Sequence, residues 1–272
     1  MNRISFRLSA ALLASLAVVA SGGQDGAVFK DPTSESLLRA ARVAVGRGEG
    51  KVLALRSLLL KGKSRVALGD QPPVDASVEI RVLLPDNYLR IDAAPGSRLI
   101  TGFSGNRLLT AVDDGDSLTA PPANLHAGLL KVEQARLARL LLGMATYVSP
   151  YYFVTFRAMG GQTEMVNPLD APARTVVRDG RLDSNVIEGA GRDGFYVRLF
   201  LNAERFPITL AYRGTKDAMH EMSFADRREV QGLTLPFRIV TKDGKRTTDE
   251  LVFDRIEVNA PLAAEDFVVP RR

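Results

Sequence analysis

The chain contains no cysteine and no tryptophan, and only two of its 272 residues are histidine. Without cysteine there is no disulfide, no thiol nucleophile and no lipid attached through a terminal thioether. Val19-Ala20-Ser21-Gly22 would lead well into a lipid-modified cysteine, but position 23 is glycine. His126 and His220 stand far apart, and neither has a second histidine at ligand spacing, so no zinc site is expected. Charge of one sign is scarce too. The formal net charge is +5, and no basic run is longer than a pair such as Arg227-Arg228 or the terminal Arg271-Arg272, which leaves no footprint for nucleic acid.

Long apolar runs are missing with one exception. Leu8 to Ala20 is broken only by Ser9 and Ser15, follows Arg3 and Arg7 with no acid, and precedes Ser21-Gly22-Gly23. It is shorter than the roughly 20 residues of a spanning helix and has the form of a secretory signal peptide, with cleavage after Ala20 or Gly22. Loss of residues 1–20 removes two arginines and no acid, so the net charge drops to +3. The expected organisation is a signal peptide over 1–22, a linker over 23–33 and a single domain over 34–272. The expected location is the periplasm, in soluble form and without a lipid anchor.

Three motif-like stretches fail on their spacing. In Gly46-Arg47-Gly48-Glu49-Gly50-Lys51 a phosphate loop would need glycine where Val45 stands and Ser or Thr where Val52 stands, so a turn between two helices is expected. Gly102-Phe103-Ser104-Gly105 begins like a nucleophile elbow, but Asn106 occupies the last position and the setting is a hairpin. Asp113, Asp114 and Asp116 lack the alternate spacing of a calcium loop and suggest a solvated turn. No catalytic constellation, metal site or cofactor motif emerges, and the chain is not expected to be an enzyme.

What is present is alternation. Phe195, Val197, Leu199 and Leu201 share one face of a strand with Tyr196, Arg198 and Phe200 on the other, and the same period of two marks 207–213, 220–229, 235–239 and 248–258. Gln231-Gly232 and Asp243-Gly244 supply tight turns, and a change of parity near Asp254-Arg255 implies a bulge. A second meander is expected from strands at 57–67, 76–84, 88–92, 98–103 and 108–112, and two short strands flank Asp179-Gly180. About eleven strands result. The exceptions are a helix from Ser34 to Gly46, with Ser34 as its cap, and a leucine-rich helix from Asn124 to Leu142. Tyr147, Tyr151, Tyr152, Phe153 and Phe156 follow it, then a Gly- and Pro-rich loop over 158–173.

Leu235-Pro236-Phe237-Arg238 before Asp243-Gly244, and the tail Ile256, Val258-Asn259, Pro261-Leu262 and Phe267, make the chain resemble the LolA/LolB-like superfamily of envelope lipoprotein carriers. The pattern spans about residues 34–270, with the specific matches in the last forty or so. The resemblance implies an α+β, mainly β fold: a curved, incompletely closed antiparallel half-barrel whose concave face is covered by helices and holds acyl chains. The extra length relative to the carriers falls at about 113–173, as a helical and aromatic insertion.

The residues support that outline independently, because a broad sheet must have its apolar face covered and only the two helices can cover it. Val78, Ile80, Val82, Val197, Leu199, Leu210, Phe224, Phe237 and Ile239 are expected as the wall of a hydrophobic cavity. Leu129, Val132, Leu137 and Leu141 are expected as its lid. Burial of one 16-carbon chain would contribute on the order of 10 kcal/mol before ordering costs. The expected function is a monomeric periplasmic carrier or chaperone-like binding protein for lipid or lipoprotein acyl chains. An envelope sensor or assembly factor that holds an inner- or outer-membrane protein is the alternative. Period two shows only that a face is buried, so a fully packed interior is the competing expectation for the same residues.

Overall fold

The computed structural model describes residues 26–67, 72–149, 152, 154–159, 186–213 and 219–270. The expected signal peptide, the strand over 175–178, its Asp179-Gly180 turn, Tyr151 and Phe153 lie outside them. Among the described residues, no helix is long and apolar enough to cross a membrane.

In chain order the elements are β1 (Val28–Phe29), α1 (Pro32–Gly46), α2 (Glu49–Leu53), β2 (Ser57–Val66), β3 (Val74–Leu83), β4 (Asn87–Ala94), β5 (Ser97–Ser104), β6 (Arg107–Leu108), β7 (Ala111–Asp113), β8 (Leu118–Thr119) and α3 (His126–Gly143). Then follow β9 (Thr155–Ala158), β10 (Val186–Ala190), β11 (Tyr196–Leu201), β12 (Pro207–Arg213), β13 (Met219–Val230), β14 (Leu233–Asp243) and β15 (Arg246–Val258). Among the described residues, all the strands belong to one 15-stranded sheet with β1 and β8 at its two ends. The two meanders join where β15 pairs antiparallel with β2, so the last strand of the chain lies beside the first long one. The sheet is antiparallel throughout except for the short β1–β9 pair. It exceeds the expected eleven strands through several segments of only two to five residues.

The parity change anticipated near Asp254 is a register shift between Phe253 and Arg255 against β2. Opposite it stands Gly62, where a Cβ would fall 2.1 Å from the carbonyl oxygen of Val252. Bulge and glycine together let the sheet coil at the seam between its two halves.

The Asp31 carboxylate, rather than Ser34, caps α1: its Oδ1 accepts from Ser34 N at 2.7 Å and its Oδ2 from Ala158 N at 3.1 Å. These hydrogen bonds hold the Asp31 carboxyl below the usual carboxylate range. The Ser34 hydroxyl donates instead to the carbonyls of Asp31 and Phe156, which ties the start of the helix to β9. Arg47 to Gly48 is the expected turn between two helices, with both residues at positive φ.

Both helices press on the concave face. From α1 come Leu37, Leu38, Ala41 and Val45, and from the end of α3 come Leu137, Leu141 and Leu142. The segment after α3 enters the same core through Met144, Val148, Tyr152, Val154 and Phe156, with Tyr152 stacked on Phe195 at 4.3 Å between ring centroids. Gly143 lets the end of the helix lie against the sheet, since a Cβ there would stand 1.9 Å from Phe224 Cζ. Phe224 is fully buried and cannot swing away. Gly143→Ala is therefore expected to destabilise the fold by about 1–3 kcal/mol, the usual cost of overpacking, seen as a lower urea midpoint with an unchanged slope.

One further correction concerns the acidic turn. Asp114 and Asp116 are exposed, but Asp113 is 4% exposed and pairs with Arg98 at 2.5 Å. It is part of the β5–β7 junction rather than of a solvated loop.

Candidate ligand cavity

Register decides what the concave face offers along its length. β3 places Val78, Ile80 and Val82 inward, and their partners on β4 are Asp92, Arg90 and Tyr88. On β5 these in turn meet Leu99, Thr101 and Phe103. On the other side of the seam Leu251 faces Ser64, and Thr241 faces Asp249. One end of the concave face is therefore apolar, and the other carries Arg90, Asp92, Thr101, Ser64, Asp249 and Thr241.

The apolar end is filled by α1, the end of α3 and the segment that follows it. Towards the polar end lies a cavity of about 330 Å³. That volume sits at the lower limit of ordinary small-molecule pockets, roughly 300–1,000 Å³. Ile80, Met222, Ile239 and Leu251 from the sheet and Leu140 from α3 give it apolar walls, while Tyr88 and Tyr212 contribute ring faces. Its charged side chains are Arg90, Asp92, Asp249, Arg136 and Arg139, joined by His220 and three threonines.

The floor is a closed ionic network. Arg90 donates to both oxygens of Asp92, at 2.7 and 2.9 Å, and to both oxygens of Asp249, at 2.5 and 3.0 Å. The Ser64 hydroxyl adds a bond of 2.6 Å to Asp92 Oδ1. Burial opposes the charge on Arg90, but the two carboxylates outweigh it and hold its pKa well above the ordinary value. The roof is α3. Arg136, with a side chain 35% exposed, donates to Glu133 at 3.0 Å and to Thr101 at 3.2 Å. Burial pushes the Glu133 carboxyl upward, against the pull of Arg136, Arg90 and Arg139.

Of the nine expected wall residues, all are buried, but only Ile80 and Ile239 line the cavity. Val78, Val82, Val197, Leu199, Leu210, Phe224 and Phe237 belong to the packed core. Among the expected lid residues, Leu137 and Leu141 are core, Leu129 is half-buried, and Val132 is 48% exposed. Val132 falls in the first half of α3, and every residue from Ala123, just before the helix, to Gly128 is exposed. The stripe that roofs the cavity is Arg136, Arg139 and Leu140, related by the three- and four-residue steps of one helical face.

The arginines and acids of this site are what sequence reasoning missed. Two signals were there. Arg136 and Arg139 interrupt a leucine-rich helix that has to be covered, and Tyr88, Arg90 and Asp92 share one strand parity. The partner Asp249 gave none, because it is 159 residues from Arg90. Of the two histidines, His126 is exposed, with Nε2 2.9 Å from the Pro121 carbonyl oxygen. His220 is half-buried at the cavity, stacked on Tyr212 at 5.3 Å.

No family model matches the chain, and no curated protein matches it. Solved structures do share its fold. A LolA superfamily protein of Nitrosomonas europaea superposes with a TM-score of 0.51 at 13% identity, over 88% of this chain and 98% of that one. A DUF1329 family protein of Desulfovibrio piger gives 0.53 at 9% identity, over 86% and 97%. The likeness is one of fold alone, and it agrees with the mainly β, open half-barrel architecture described above.

Proposed function

We propose that the chain is an exported, periplasmic binding protein or carrier that holds the acyl chain of a lipid or lipoprotein beneath α3, without catalysis. The observation that carries this is the hollow of about 330 Å³ on the concave face, walled by Ile80, Met222, Ile239, Leu251 and Leu140. Core side chains in native proteins pack to nearly crystalline density, so a space of this size beside a dense core is a place for a ligand rather than a packing defect. Apolar walls favour a flexible hydrocarbon, since each buried methylene contributes about 0.8 kcal/mol. The N-terminal apolar run and the fold shared with a LolA superfamily protein support the same assignment.

Organic extraction of the protein purified from a membrane-containing lysate tests it. One acyl-bearing molecule per chain is expected, visible as a mass adduct in native mass spectrometry that disappears after delipidation. Protein that is purely ligand-free and takes up no lipid from added vesicles would refute the assignment.

A further inference from the structure

Among the charged side chains around the cavity, Arg139 differs from the rest. Both carboxylates at the floor are taken up by Arg90, and Glu133 is taken up by Arg136. Arg139 has no hydrogen bond or ion pair with any described residue, and its Nε is buried without a partner. Its guanidinium lies 4.2 Å from the centroid of the Tyr212 ring, which is in turn stacked on His220. Arg139 and Tyr212 both line the cavity. A guanidinium carries five N–H donors and no acceptor, so this arrangement presents donors to the hollow with nothing described to receive them. The face of Tyr212 holds the planar cation in place without using any of those donors. Lone pairs are spent on the opposite side: Asp92 accepts from Arg90 and Ser64, and Asp249 accepts from Arg90 through both oxygens. The unmet need in the cavity is for acceptors.

We infer that the cavity takes an amphiphile with an anionic oxygen head, a carboxylate or a phosphate, whose head is received by Arg139 beside Tyr212 while its hydrocarbon lies along Ile80, Ile239 and Leu140. The inference rests on the acyl-chain assignment above and adds to it the class of head group. Burial also lowers the pKa of Arg139, a cost that an anion at this position would relieve. Arg139 is thus a selectivity element, and Arg90, already saturated, is part of the frame.

The test compares three probes of equal chain length on the delipidated full chain: palmitate, 1-palmitoyl-lysophosphatidate and the uncharged hexadecanol. Binding of either anion at least about tenfold tighter than hexadecanol is expected, the effect of one charge-assisted hydrogen-bonded contact. The tighter of the two anions identifies the head as carboxylate or phosphate. In Arg139→Gln the preference should collapse to within about threefold, with the thermal midpoint of the ligand-free protein raised, since a buried unpartnered charge has gone. Hexadecanol bound as tightly as both anions by the wild-type chain would overturn the head-group inference and leave the acyl-chain assignment standing. Failure of all three probes to bind would overturn both. The comparison on the wild-type chain decides the matter even if Arg139→Gln does not fold.

Discussion

Replacing Arg90 by methionine is expected to remove about 3–5 kcal/mol of stability, a large part of the 5–15 kcal/mol that a domain ordinarily has. The reason is not the loss of a favourable salt bridge as such. Methionine fills much of the same volume, but it leaves Asp92 and Asp249 facing each other's charge with no cation between them. The Asp92 side chain is 7% exposed and that of Asp249 is 23% exposed. Water can reach Asp249 in part, which places the expected loss towards the lower end of that range. Urea unfolding of the single variant against wild type measures it. The triple variant Arg90→Met, Asp92→Asn, Asp249→Asn separates the two causes, because it removes the unpaired charges along with the cation and should recover most of the stability. Equal loss in the single and triple variants would show that Arg90 acts through its packing, not its charge.

A comparable loss, about 3–5 kcal/mol, is expected for Phe267→Ala, at a site outside the cavity. Phe267 is fully buried in a separate cluster with Leu89, Ile100, Leu109 and Ala111. Leu89 and Ile100 have the opposite strand parity to Arg90 and Thr101, so this cluster sits on the convex face. The tail is pinned there by Arg81, which donates to the Asp266 carbonyl at 2.9 Å, and by Arg107, which donates to the Phe267 carbonyl at 3.2 Å. Truncation to alanine would open a cavity between tail and sheet with few atoms free to collapse into it. Denaturant unfolding should register the deficit, whereas acyl-chain binding measured well below the midpoint should be unchanged. A loss of binding in protein that is still folded would mean that the convex face is coupled to the cavity.

The same residue shows how far the sequence reached. Phe267 and the Ile256–Leu262 stretch were legible as the family-like tail, yet nothing in their spacing says that they cover the outside of the sheet. Strand alternation, the Asp254 bulge, the turn between α1 and α2 and both major helices were readable because each depends on neighbours within a few residues. The cap of α1 was misplaced by three residues, because Ser34 is a good cap by type while Asp31 is the one whose carboxylate reaches both Ser34 N and Ala158 N. Which apolar residues line the cavity and which fill the core is not legible from period two. Hydrophobic residues such as Val197, Leu199, Leu210 and Phe224 satisfy one another in the core, and the space lies where polar side chains stand beside the apolar ones of the same face, Ile80 and Ile239 among them.

Period and turn chemistry in the sequence determined a mainly antiparallel protein with two covering helices, since those signals act over one strand or one helical turn. The tertiary structure alone decided that β15 closes against β2, which brings Asp249 to Arg90 across 159 residues. It alone decided that α3 lies with Arg139 over the hollow. Register and helix placement are set by the sum of many distant contacts, and no local pattern encodes such a sum.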